Sequence, residues 1–134
     1  PSNTVGEIKN LGGSIYEGMS ISLSPNVDFT DEKVISIRFY NYETGSHIVQ
    51  LKFEQSNSGQ PDALVEHTVT QLGWHDLSFD FSQATIIGQS GAQNIIGQYA
   101  KLVLFVNPGV SVSGTYLFDD ISGGTSGSGG GGNT

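Results

Sequence analysis

The sequence predicts an all-β fold, an antiparallel β-sandwich, and three observations predict it. Apolar and polar residues alternate at period two in several separate runs. Turn signals separate those runs at a spacing of about 8–12 residues, the rhythm of sandwiches and barrels. No window carries a helical stripe. The best candidate, Gly91–Tyr99 (GAQNIIGQY), is short and interrupted by Gly97, so at most one turn is expected there.

The elements follow in order. GMSISLS places Met19, Ile21 and Leu23 on one face. Val34–Tyr40 (VISIRFY) sets Ile35, Ile37 and Phe39 against Ser36, Arg38 and Tyr40. His47–Glu54 (HIVQLKFE) sets Val49, Leu51 and Phe53 against Ile48, Gln50, Lys52 and Glu54. Val65, His67 and Val69 share a face in LVEHTVT, and Trp74–Ser82 sets Leu77, Phe79 and Phe81 against Asp76, Ser78 and Asp80. Lys101–Val106 (KLVLFV) is apolar on both faces, as a strand covered on both sides would be. Tyr116–Ile121 (YLFDDI) closes the domain. Pro25-Asn26, Glu43-Thr44-Gly45, Ser58-Gly59-Gln60-Pro61 and Asn107-Pro108-Gly109 read as turns. Phe39, Leu51, Phe53, Phe79, Phe81 and Leu104 are the expected core. With 134 residues and 36% hydrophobic content, one compact domain over residues 1–122 is expected. Residues 123–134 (GGTSGSGGGGNT) read as a glycine- and serine-rich linker or tail that cannot bury enough surface to order itself.

Composition narrows the function. Five cations stand against thirteen carboxylates, a net charge of -8, which disfavours binding to nucleic acid or to an anionic membrane. A neutral ligand or a cation fits better. The absence of cysteine removes disulfides, thiolate metal sites and cysteine nucleophiles. Nucleophile-elbow, zinc-protease, phosphate-loop and dinucleotide motifs are missing. His47, His67 and His75 have no ligand spacing, and His75 and Asp76, adjacent on a strand, point to opposite faces. Asp76 and Asp80 share a polar strand face with no apolar neighbour to raise a carboxyl pKa. The expectation is a chain that is not an enzyme.

The residues suggest a sugar-binding face. A pyranose offers an apolar C–H face to an aromatic ring and hydroxyls to amides and charges. Arg38 and Tyr40 share the polar side of one run, and Gln50, Lys52 and Glu54 that of the next. Were these adjacent antiparallel strands, the five side chains would form one band about 10–15 Å across. The rim around Tyr16 and Pro108 is the alternative location. Trp74 follows a turn glycine and reads as a corner packing residue. Asp119 and Asp120 lie in the apolar closing strand, where one must face inward or sideways and needs a partner. Two solutions stand level: a Ca²⁺ ion, or a hydrogen-bonded carboxylate that ties off the strand end.

The ordered set WHDLSFDF (74–81), YAKLVLFV (99–106) and GTYLFDDI (114–121) resembles the second half of jelly-roll carbohydrate-binding modules appended to secreted bacterial polysaccharidases. The first half agrees, with NTVGEIKN, then VDFTDEKVISIRFY, then IVQLKFE, so the resemblance spans nearly all of residues 3–122. It implies a jelly-roll sandwich, a polysaccharide ligand, a secreted or cell-surface location, a tethered catalytic domain, and often a structural Ca²⁺. Such modules usually begin with one more strand, bearing acidic residues, than this sequence shows. Either that strand has been trimmed away or another chain supplies it, and a strand supplied by another chain would repair the exposed edge. The second expectation is therefore a structural or adhesive subunit that assembles with like subunits by strand complementation.

Overall fold

The computed structural model describes residues 6–56, 59–123 and 125–126. Within them, nine strands pack as two antiparallel sheets: β1 (Gly6–Leu11), β2 (Gly18–Asp28), β3 (Val34–Asn41), β4 (His47–Ser56), β5 (Ala63–Val69), β6 (Gly73–Asp80), β7 (Gln98–Val106), β8 (Ser113–Gly123) and β9 (Thr125–Ser126). The four-stranded sheet runs β1-β8-β3-β6 and the five-stranded sheet β5-β4-β7-β2-β9. The sandwich expected from period-two alternation is present. Its helical content among the described residues is a single 3-10 turn, Phe81–Gln83.

The alternation fills the space between the sheets. Ile35, Ile37 and Phe39 of β3 face Val49, Leu51 and Phe53 of β4 across the core, and all six are at most 2% exposed. Phe29, Phe53, Phe81 and Tyr99 form an aromatic knot with ring centroids 4.9–6.1 Å apart. Such ring contacts add about 0.5–1.5 kcal/mol beyond burial. The Tyr99 hydroxyl donates to the Pro61 carbonyl at 2.8 Å, and desolvation, helped by the Asp62 charge, pushes its pKa up to about 12. All six expected core residues, including Phe79, Phe81 and Leu104, are buried.

Four local expectations change. Pro25-Asn26 is not a turn. β2 continues through it as a bulge, with its register against β7 shifting between Ser22 and Val27, a position that tolerates proline. β6 stops at Asp80 rather than Ser82, because the Asp80 carboxylate accepts from Ser82 N at 2.9 Å and caps the 3-10 turn. Neither Asp119 nor Asp120 faces inward. Asp120 takes φ 50° at a register shift between β8 and β3, so Phe118 and Ile121 both reach the core while the carboxylates stay outside. In the segment read as linker, Gly123 ends β8 and Thr125–Ser126 pair with Val27 and Asp28, while residues 127–134 lie outside the described residues.

The largest correction concerns β3 and β4, which are not neighbours. β3 lies between β6 and β8, and β4 between β5 and β7. The connecting segment Tyr42–Ser46 carries the chain from one sheet to the other. Asn41 starts it: its Oδ1 accepts from Glu43 N at 2.9 Å and its Nδ2 donates to Gln71 O at 3.0 Å, replacing a hairpin turn with an Asx turn.

Candidate functional site

On the outer face of the five-stranded sheet, register builds rows of side chains. Glu66, Gln50 and Phe105 stand side by side on β5, β4 and β7. Leu64, Lys52, Val103 and Ser20 form the next row, and Glu54 and Lys101 with Ser22 the one after. The first row ends on β2 at Gly18, where a Cβ would collide with the Leu104 carbonyl oxygen and come within 2.9 Å of the Phe105 ring. The glycine therefore leaves room for the Phe105 ring beside β2.

Two turns rise over these rows. The β1–β2 loop carries Tyr16, whose ring meets Phe105 edge-on at 6.0 Å. Glu17 fixes that loop, since its carboxylate accepts from Leu11 N at 2.7 Å and Gly12 N at 2.8 Å. The Leu11 bond is the main cause of its lowered pKa; desolvation opposes it, and the Gly12 bond adds to the lowering. The β7–β8 turn carries Pro108. Asn107, at φ 56°, pins it to β4 by donating its N–H to Ile48 O at 2.7 Å and accepting Ile48 N–H on Oδ1 at 3.0 Å. Gly109 N donates to Ile15 O at 2.7 Å and locks the two turns together.

Between turns and sheet lies a cleft of about 410 Å³, lined by Tyr16, Gln50, Lys52, Leu64, Glu66, Ile87, Phe105 and Pro108. Its polar groups are already arranged. Gln50 Nε2 donates to Glu66 Oε2 at 2.7 Å, and Glu54 bridges Lys52 at 3.1 Å and Lys101 at 3.7 Å. Two cations and two carboxylates balance in this region, which suits a neutral ligand better than an ion.

The structure thus divides the expected sugar-binding residues. Tyr16, Gln50 and Lys52 meet in the cleft, and Glu54 stands one row away. Arg38 and Tyr40 are on the opposite face of the molecule, because their strand belongs to the other sheet. Glu66, Leu64, Ile87 and Phe105 are cleft residues that strand alternation alone did not select. The signal for Phe105 was present in KLVLFV. On its second apolar face Phe105 lines the cleft beneath Tyr16, and Val103 is buried in the neighbouring row. Trp74 is not a corner packing residue either. It is 42% exposed and opposite Tyr40 on the four-stranded face.

Asp119 and Asp120 are neighbours at the β8 bulge, outside the core. Asp119 Oδ1 accepts the Asp120 N–H at 2.9 Å within the bulge. Among the described residues no three His, Asp or Glu side chains converge in a way that could hold a metal ion.

No protein-family model and no curated protein matches the sequence. Solved structures do match. One is a family 11 carbohydrate-binding module from Clostridium thermocellum in complex with a β-1,3-1,4-mixed-linked tetrasaccharide, with TM-score 0.53 and 17% identity over 90% of this chain and 83% of that one. Another is the family 11 module of a cellulosomal cellulase of the same organism, with TM-score 0.52 and 15% identity over 95% of this chain and 85% of that one. The chain shares the antiparallel β-sandwich fold of these modules.

Proposed function

We propose that this chain is a non-catalytic glycan-binding module and that the cleft on the five-stranded sheet seats a neutral polysaccharide. One observation carries the reading: the fold brings apolar surfaces and preset hydrogen-bonding groups into a single cleft. Phe105, Tyr16, Leu64 and Ile87 offer contact to the C–H faces of sugar rings. Gln50, having given its Nε2 to Glu66, keeps its Oε1 to accept a hydroxyl, and Glu66 retains a second carboxylate oxygen. Lys52 donates from the next row. The cleft volume sits at the lower end of the ~300–1,000 Å³ usual for ligand sites, enough for a short run of rings.

Mixed-linkage β-glucan is the first ligand to try, because a family 11 module of the same fold is seen with such a tetrasaccharide. Individual contacts of about 1 kcal/mol give affinities of about micromolar to millimolar. In this reading the module is secreted or displayed at a cell surface. It holds a tethered enzyme near its substrate through the glycine-rich tail and so raises the local concentration.

Affinity electrophoresis through gels containing β-glucans, xylan, agar or alginate tests the proposal. The expected result is retardation in at least one gel and a clear weakening of it in a Gln50→Ala/Glu66→Ala variant that still folds. A variant retarded as strongly as the wild type would refute the cleft.

A further inference from the structure

The four-stranded sheet also presents an organised outer face, and the cleft does not use it. Register sets Tyr40 opposite Trp74 on β6 and opposite Leu117 on β8. Two residues after Tyr40, Tyr42 closes the other side. The Tyr40 ring lies 5.1 Å from Trp74, nearly perpendicular to it, and 4.5 Å from Tyr42 at 52°. Trp74 and Tyr42 are 42% and 52% exposed. An exposed aromatic cluster on a chain this polar needs an explanation.

The cluster is braced from one side. The Arg38 guanidinium sits 4.8 Å from the Trp74 ring centroid, and its Nε donates to Asp76 at 3.2 Å. This pair holds the indole in one orientation before any ligand arrives, which lowers the ordering cost of binding. The remaining guanidinium N–H groups and the Asp76 carboxylate, 86% exposed, point to hydrogen bonding just beyond the rings. The next outward row is Ser36 and Ser78, both hydroxyls.

We infer that this face is a second saccharide site, in which Trp74, Tyr40 and Tyr42 hold sugar rings and Arg38 and Asp76 bind their hydroxyls. Its chemistry favours a glycan over a protein partner. The core of a protein interface is depleted in charged residues, whereas here an exposed ion pair adjoins the rings directly and two serines form the row beyond it. The rings stand at angles to one another, so the face suits a single chain held between them rather than a flat crystalline surface. Because the two sites lie on opposite faces of the sandwich, one molecule bridges two polysaccharide chains. The inference rests on the reading of the chain as a glycan binder, but on none of the cleft residues.

Trp74 is the single tryptophan of the chain, so its fluorescence reports this face alone. The wild-type protein and the Gln50→Ala/Glu66→Ala variant are each titrated with soluble β-1,3-1,4-glucan, and in parallel with xylan, agar oligosaccharides and alginate. The expected result is a saturable change in Trp74 emission with at least one glycan, retained in the cleft variant. Tyr42→Ala should weaken the affinity so measured by about threefold to tenfold, while Tyr42→Phe leaves it within about twofold. Emission unchanged with every glycan would overturn the second site, even where gel retardation upholds the cleft. A response that disappears in the cleft variant would also overturn it. So would emission that shifts with protein concentration alone, which marks a self-association surface. Wild-type retardation of the cleft variant, by contrast, refutes the cleft and leaves this inference to stand on the fluorescence.

Discussion

The outer faces of the two sheets arise from the same backbone pattern and differ in what they present. On the five-stranded face long polar side chains stand among Phe105, Leu64 and Val103 and pair with one another: Gln50 with Glu66, and Glu54 with Lys52 and Lys101. Turns pinned by Glu17 and Asn107 stand over them and make a cleft. On the four-stranded face the outward side chains are rings, braced by Arg38, and no described loop encloses them as the turns enclose the cleft. The difference teaches that period-two alternation settles which residues leave the core but assigns no chemistry to the faces. Chemistry comes from the identity of the outward residues and from the turns that overhang them.

The most drastic way to break the comparison is to remove what the faces share. Phe53 backs the cleft strand β4, Phe79 backs β6, the strand that carries Trp74, and both are buried in one core. Phe53→Ala and Phe79→Ala should each cost about 3–5 kcal/mol. Chemical denaturation monitored by circular dichroism checks the loss. If Phe79→Ala costs under about 1 kcal/mol, the two faces do not rest on one cooperative core.

That shared core was the part most legible in the sequence. Alternation identified Phe39, Leu51, Phe53, Phe79, Phe81 and Leu104 because a strand side chain has only two directions to point. Strand pairing was not legible. Five residues between β3 and β4 fit a hairpin as well as a crossover, and nothing in the period separates the two. The Asn41 side chain turns the chain locally through Glu43, and its second bond, to Gln71, depends on the β5–β6 connection being in place. The error divided one expected band into two faces, leaving Gln50 and Lys52 with Tyr16 and sending Arg38 and Tyr40 to Trp74. The bulge at Asp120 was hidden for a similar reason. Strict alternation forces one of two adjacent aspartates inward, and a single residue at positive φ removes that demand.

A smaller intervention separates the faces. Gly18→Ala places a methyl group against the Leu104 carbonyl and the Phe105 ring, so either the ring or β2 must move. Overpacking of this kind costs about 1–3 kcal/mol. Gel retardation should weaken because the cleft floor shifts, while Trp74 emission in the absence of ligand stays as in the wild type. A changed emission would show that strain at β2 crosses the core to the other sheet.

Smaller again is the removal of one preset hydrogen bond. Gln50→Ala leaves Glu66 without its donor and takes away an acceptor for ligand hydroxyls. Affinity for the retarding glycan should fall by about threefold to tenfold, equivalent to roughly 1 kcal/mol. Quantitative affinity electrophoresis measures the change. An unaltered affinity would place the ligand elsewhere along the rows, toward Glu54 and Lys101.

The smallest expected effect is a pH dependence confined to one face. Glu17 holds the Tyr16 loop by accepting the Leu11 and Gly12 N–H groups, which favour its charged form and lower its pKa below the ordinary 4.5. The unfolded chain, or a loosened loop, binds the proton more readily than the closed loop does. The stabilisation is therefore fully present above about pH 4.5 and is lost as pH falls through the lowered value. Glycan retention by the cleft should decline on acidification over that range as the Tyr16 wall loosens. Glu17→Gln should remove the decline, because the amide carries no titrating charge and its NH₂ cannot accept the second backbone N–H. That variant should bind more weakly at pH 7, by about twofold to fivefold, and its affinity should be flat between pH 7 and 4. Retention measured at stepped pH for both proteins decides it. A wild-type profile as flat as that of Glu17→Gln would mean that the carboxylate holds the loop but the loop does not hold the ligand.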